Sequence, residues 1–437
     1  MHRLNTDAPR SGMTLWPFSV RNGVGTRVRD RFMSLVLFDG LLRVGLLAPL
    51  LALSACIAPS ARIAMTESQQ ETARVGTPKL ARFWGDEVTP ELRSVVAFQF
   101  HQIRAAAAKG IRSGSVKKAD YLAISGGGGS GAFGAGYLKG WSERGDRPQF
   151  EVVTGVSTGA LAAPFAFLGQ KYDQQLEDIY TKYSDKDIMR SRGVAGFLGD
   201  SFYDNSPLRA LIAKYVTDDT LAAIAREYQT GRRLLVQTTN IDAQRPVIWD
   251  VSAISASQRP DRRELVIDIL LASAAIPGMF PPVRLPVQAS DGKVYQEFHV
   301  DGGVAAQVFF APPEIGLDAF ERKEFSHTRA RSLYVIRNGQ LHTAYEPAKA
   351  TVIPLAQRAI DTMIKYQGVA DLNRLETLTK LGHARLFYTS IPKDFVDEKE
   401  TQFDPEYMRS LFKTGYSVGV AGQWLQETPA TPVLAVN

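Results

Sequence analysis

Apolar residues recur along this chain in two periods. Short apolar runs predict strands at residues 121–124, 151–154, 232–239, 332–337 and 385–390. After the third run, Asn240-Ile241-Asp242-Ala243 turns the chain into 246–250, the pattern of a hairpin arm. Helical spacing covers 90–108, where Leu92, Val95, Val96, Phe98 and Ile103 fall on one side. It also covers 132–141, a stretch from Ala160 to Phe167 with Pro164 inside it, 171–183, 219–229 and 265–273. Residues 348–379 read as helix broken near Gly368. Asn205-Ser206-Pro207 reads as an N-cap with proline near N1, opening a helix to Tyr215. Asp404-Pro405 opens a last helix reaching about Trp424. Strands alternate with helices, which indicates an α/β fold with a mostly parallel central sheet covered by helices on both faces. The pattern contains no internal repeat and no second domain of this kind.

Two glycine-rich joints interrupt the pattern. Ser125-Gly126-Gly127-Gly128-Gly129-Ser130-Gly131 links the first of these strands to a helix. Glycines let the backbone take positive φ and approach a ligand closely, and a helix N-terminus beside them favours an anion. Gly155-Val156-Ser157-Thr158-Gly159 links the next strand to the next helix. That G-x-S-x-G pattern permits a sharp turn which lifts the serine hydroxyl out of the sheet. The two joints together supply a nucleophile and a place for the oxyanion it creates. A dinucleotide site is the competing reading, because Gly127-x-Gly129-x-x-Ala132 and Gly129-x-Gly131-x-x-Gly134 fit or nearly fit its fingerprint. That site wants an acidic residue at the end of the second strand, whereas Glu151 stands at its start and Gly155-Val156-Ser157 at its end. No Walker lysine follows the glycines.

Composition changes the picture chiefly at the N-terminus. The chain has 437 residues, one cysteine and a net charge of +6. A single cysteine, Cys56, makes a disulfide framework impossible within the chain. Arginines at 3, 10, 21, 27, 29 and 31 precede an apolar run at 44–53, which ends in Leu53-Ser54-Ala55-Cys56. The run is too short to span a membrane, which takes about 20 residues. It reads as a signal h-region, and its end resembles the bacterial lipobox, implying cleavage before Cys56 and lipidation there. The long stretch ahead of it leaves Met33 as an alternative start. The first 56 residues hold seven Arg against three Asp, so four of the six net positive charges leave with the leader. The remainder is close to neutral and carries no basic stripe interleaved with aromatics, which argues against a nucleic-acid partner. There is no H-E-x-x-H and no acidic calcium loop, and no metal or cofactor is expected.

Two later stretches bear on chemistry. Ala274-Ala275-Ile276-Pro277-Gly278-Met279-Phe280-Pro281-Pro282 reads as a rigid, exposed, apolar cleft wall. Phe298-His299-Val300-Asp301-Gly302-Gly303 is a short strand that delivers Asp301 into a turn. An aspartate as base needs partial burial and a hydrogen bond to the serine. A Ser–His–Asp triad is the alternative, with His299, His327, His342 and His383 as its histidines; His299 shares a strand face with Asp301 and would tune it.

Taken in order, the glycine loop, Gly155–Gly159, the 274–282 stretch and Asp301-Gly302-Gly303 resemble the patatin-like phospholipase family, relatives of cytosolic phospholipase A2. The resemblance spans roughly residues 119 to 390. It implies a three-layer α/β sandwich and a Ser–Asp dyad, with Ser157 as nucleophile and Asp301 as base. The N–H groups of Gly127, Gly128 and Gly129 would form the oxyanion hole, with Gly155, Gly159, Gly302 and Gly303 shaping the motifs. Many members carry Arg or Lys after the glycines, where this chain has Ser130. The expected organisation is a signal peptide with lipobox at 1–56, a tether and preceding helix at 57–117, a catalytic domain at 118–390, and a C-terminal helical extension at 391–437 packed on it. The expected activity is hydrolysis of lipid esters, of phospholipase, lysophospholipase or esterase type, at a bacterial envelope membrane reached through the lipid anchor. An acyltransferase or thioesterase with the same dyad stands as the alternative, and a non-catalytic, membrane-tethered lipid-binding protein as a second.

Overall fold

The computed structural model describes residues 63–75, 81–111, 116–342, 347, 350–396 and 401–425. The expected leader at 1–56, with Met33 and Cys56, lies outside them. Among the described residues the main sheet has nine strands: β1 Arg82–Trp84, β2 Lys118–Ile124, β3 Val152–Val156, β4 Arg233–Asn240, β5 Arg245–Asp250, β6 Val283–Gln288, β7 Val294–Asp301, β8 Ala330–Arg337 and β9 Ala384–Ser390. Their order is β1-β5-β4-β3-β2-β8-β9, with β7 paired to both β4 and β6. The run β4-β3-β2-β8-β9 is parallel. The antiparallel wing of β1, β5, β6 and β7 is larger than the hairpin arm and the short strand before Gly302 that were expected. Its extra strands are hard to see in sequence: β1 has three residues, and β6 carries Pro286.

The longer helices framing the site are α1 Pro90–Ala108, α2 Gly131–Arg144, α3 Thr158–Leu168, α4 Arg262–Ser273, α5 Val352–Leu381 and α6 Pro405–Ala421. Thr89 caps α1 by accepting from Leu92 N, with Pro90 in its first turn. Asp404 does the same for α6, accepting from the N–H groups of Glu406 and Tyr407. Asn205 makes no such cap; Asp204 Oδ1 accepts from Ser206 N at 3.0 Å instead.

Strand alternation places helices on both faces of the sheet. Leu122 and Ile124 of β2 join the large core with α2, α3, α4 and α6. Tyr121 and Ala123 turn the other way, towards Leu333 and Val335 of β8 and Leu372 and Leu375 of α5. On that second face α1 packs through Val96 and Phe100 against Ile315. α5 runs unbroken through Gly368, contrary to the sequence expectation. The glycine is there for clearance: a Cβ would come within 2.6 Å of the Arg337 guanidinium. α2 and α6 meet backbone to backbone. A side chain on Gly136 would run into Phe412 O, and one on Gly415 into Phe133 O. Among the described residues no helix is long and apolar enough to cross a membrane.

Candidate active site

Register brings the serine and the aspartate together. β3 runs parallel to β4 and ends with Val156 opposite Gln237. β7 arrives on the same edge of β4 from the opposite direction and ends with Asp301 opposite Thr238. Val156 and Asp301 therefore occupy consecutive rungs, and the residue that leaves β3 is Ser157. Ser157 takes φ 54° and ψ −125°, a strained conformation for a residue with a Cβ. Its N–H donates to Ser273 Oγ at 3.0 Å, and that hydroxyl donates to Gln237 O at 2.7 Å. The flanking glycines serve clearance: a Cβ on Gly155 would meet Gly159 O at 2.5 Å, and one on Gly159 would run into Ile124 O.

Asp301 is held from several sides. Its N–H donates to Ala275 O at 2.9 Å, and Thr239 Oγ1 donates to its carbonyl at 3.0 Å. Its Oδ1 accepts from Gly303 N at 2.7 Å, while Oδ2 is buried and accepts no hydrogen bond of regular geometry. Burial pushes the carboxyl up to about 7, against the opposing pull of the nearby Ser157 hydroxyl and the Gly303 N–H. A carboxylate poised near neutrality is a far better proton acceptor than an exposed one.

The glycine loop sits beside the serine, since a Cβ on Gly126 would lie 3.2 Å from Ser157 Cβ. Gly127 and Gly128 take φ of 154° and 54°, the second in the left-handed region. The loop then winds through a 3-10 turn, Gly128–Ser130, into α2. Among the described residues no backbone hydrogen bond uses the N–H groups of Gly127, Gly128 or Gly129. Arg337, at the end of β8, donates from its guanidinium to Ser125 Oγ at 3.1 Å and to Gly126 O at 3.2 Å. The Gly126 carbonyl and the Gly127 N–H belong to one peptide, so this cation polarises that N–H as a donor. Burial pushes the guanidinium down to about 10, with Asp371 opposing. Ser130, where the resemblance expects a basic side chain, pairs instead with the Tyr407 hydroxyl at 2.9 Å.

Gln307 ties the parts together. Its carbonyl accepts from Gly126 N, its amide donates to Gly303 O at 2.9 Å, and its N–H donates to Asp371 Oδ2 at 2.7 Å. Sequence reasoning missed Ser273, Gln307 and Arg337. Only Arg337 left a trace, as a charge closing an otherwise apolar strand.

The histidines lie elsewhere. His299 is fully buried, but its Nε2 pairs with Glu297 at 3.0 Å and its Nδ1 with Thr238 Oγ1 at 2.9 Å. Burial lowers its pKa, which keeps the ring neutral. Trp249 Nε1 donates to Thr238 Oγ1, so the consistent tautomer has Nε2–H donating to Glu297 and Thr238 O–H donating to Nδ1. His327 precedes β8 and His383 precedes β9, which puts both at the edge of the parallel sheet opposite Ser157. His342 is exposed beyond β8. Among the described residues no histidine ring hydrogen-bonds Ser157 or Asp301. The 274–282 stretch is also corrected: Ala274, Ala275 and Phe280 are buried, and only Pro277 and Gly278 are exposed. Its part is to hold Asp301 through the Ala275 carbonyl.

Among the described residues no group of three or more His, Cys, Asp or Glu side chains is placed to hold a metal ion. An apolar cavity of about 120 Å³ lies between α1 and the sheet, lined by Phe100, Tyr121, Thr154 and Phe310 among others, with neither Ser157 nor Asp301 in its wall.

Residues 122–312 match the family model described as patatin-like phospholipase. No curated protein matches. Among solved structures, VipD from Legionella pneumophila is 16% identical, with 70% of this chain and 66% of that one covered, at a TM-score of 0.35. Human GIVD cytosolic phospholipase A2 is 10% identical, with 66% and 54% covered, at a TM-score of 0.29. This chain thus spans just under two-thirds of the first and about half of the second.

Proposed function

Taking the patatin-like phospholipase domain of residues 122–312 as premise, we propose that the chain is a serine acyl hydrolase of lipid esters working through a Ser157–Asp301 dyad. Ser157 Oγ attacks the ester carbonyl as Asp301 Oδ2 takes its proton. The Gly127, Gly128 and Gly129 N–H groups receive the oxyanion, and the alcohol departs with the proton from Asp301. Asp301 then draws a proton from water as that water attacks the acyl-enzyme, and it returns the proton to Ser157 Oγ as the acid leaves. Each lost oxyanion donor costs about 10²–10³ in rate in such sites. The observation that carries this reading is the shared edge of β4, which sets Asp301 beside the serine turn with one buried carboxylate oxygen unpaired.

The test is covalent. A fluorophosphonate probe is expected to add once per chain, at Ser157, and not to Ser157→Ala. Labelling at another serine would remove the proposal. The envelope location belongs to the same proposal and rests on the sequence of residues 1–56; fatty-acid labelling that persists in Cys56→Ser would remove that part.

A further inference from the structure

We infer that the N-terminal half of α5 is the surface by which the enzyme docks on a lipid bilayer, an inference that rests on the proposed lipid-ester hydrolysis. The two halves of this helix differ. Behind residue 367 it packs on the sheet, with Gly368, Leu372 and Leu375 buried. From 352 to 367 no side chain with described burial is buried. Instead Val352 is 83% exposed, Met363 70%, Tyr366 55%, Leu355 48% and Ile360 47%. At about 100° per residue, these five fall within roughly 140° of the helix circumference. That stripe is centred opposite the direction in which Gly368, Leu372 and Leu375 point, so the rest of the domain cannot cover it by the packing α5 already uses. The stretch is about 22 Å long.

Position and charge select the occupant. The stripe leads directly to the aspartate turn: Gln367, next to Tyr366, accepts from Gln307 Nε2 at 3.1 Å and reaches Val304 O at 3.5 Å. Val304 follows Asp301-Gly302-Gly303 and is itself 46% exposed. Arg358 and Lys365 lie to one side of the stripe, with Asp361 beyond them; partial burial, and then the nearby Arg358, press the Lys365 ammonium pKa down. An apolar face bordered on one side by cations suits the boundary between acyl chains and phosphate headgroups. A bilayer seated there would present its ester bonds beside the Asp301 turn.

The test compares the full chain with its Leu355→Glu/Met363→Glu variant, so that the apolar N-terminal segment is common to both. Each is sedimented with phosphatidylcholine/phosphatidylglycerol vesicles and assayed on vesicle phospholipid and on a soluble short-chain ester. The variant is expected to lose vesicle binding and vesicle hydrolysis by about tenfold or more. Its soluble-ester rate should stay within about twofold, because neither residue adjoins the dyad. Equal vesicle binding by both proteins overturns the inference. So does a wild-type dimer that the variant breaks with vesicle binding unchanged, which would assign the stripe to a second copy. A wild-type protein that binds vesicles through α5 but hydrolyses no ester would sink the hydrolase reading and leave the docking surface standing.

Discussion

At the scale of single residues, one carboxyl governs the proposed chemistry. Asp301 titrates near 7 because its burial outweighs its hydrogen bonds. As a base it must be ionised, so kcat/KM for a soluble ester is expected to rise with pH through about 7 and then level off. The stability effect has the opposite sense. Asp301 has its pKa raised on folding, so the folded chain holds a proton that the unfolded chain has lost, and stability falls as pH rises from about 4 to 7. Asp301→Asn should therefore be inactive yet more stable than wild type at pH 8, by at most on the order of 4 kcal/mol. A lower denaturation midpoint for the variant at pH 8 would contradict this. His299 is a different case. Its ring bonds Glu297, which also pairs with Arg82 at 2.7 Å. His299→Ala should cost about 2–4 kcal/mol by denaturant titration while kcat changes little. Ser157 stood out in sequence because Gly155 and Gly159 flank its turn, and Asp301 because Gly302 and Gly303 follow it. Arg337 was not, because its partners Ser125 and Gly126 lie more than 200 positions away.

At the scale of elements, backbone clearance decides more than propensity. Gly415 of α6 and Gly136 of α2 let two helices touch main chain to main chain. Gly415→Ala gains helix propensity yet should destabilise by about 2–3 kcal/mol, because the new methyl meets Phe133 O in a packed interface. A denaturant midpoint at or above wild type would show that the helices can part without cost. The same consideration explains the misread break in α5. Gly368 looked like a helix breaker, but its contact is with Arg337, a neighbour that the local pattern cannot reveal. The parallel strands were legible because they are buried on both faces and read as apolar runs. β6 was missed and β7 was read only at its 298–301 end, because their pairing is with each other and with β4, and their own composition is mixed.

At the scale of the whole molecule, a parallel sheet gathers one set of strand ends at a single edge. The ends of β2, β3 and β8 supply the glycine loop, Ser157 and Arg337. The antiparallel wing completes the site by sending Asp301 in from the opposite direction. Sequence order alone pointed to the glycine loop, Ser157 and Asp301, because each carries a local motif, and not to Arg337. It could not place them, since the placement depends on which edge of β4 two distant strands share. The helices α5 and α6 then act at a distance from the chemistry, one through Gln307 and the other against α2.

In the proposed dyad Ser157 and Asp301 form one catalytic unit without a histidine. The most direct test is kcat/KM for a short-chain p-nitrophenyl ester in Ser157→Ala and Asp301→Asn beside wild type. Both variants are expected to fall by about 10⁴-fold or more. An Asp301→Asn enzyme that keeps most of its activity, with Ser157→Ala inactive, would contradict the dyad.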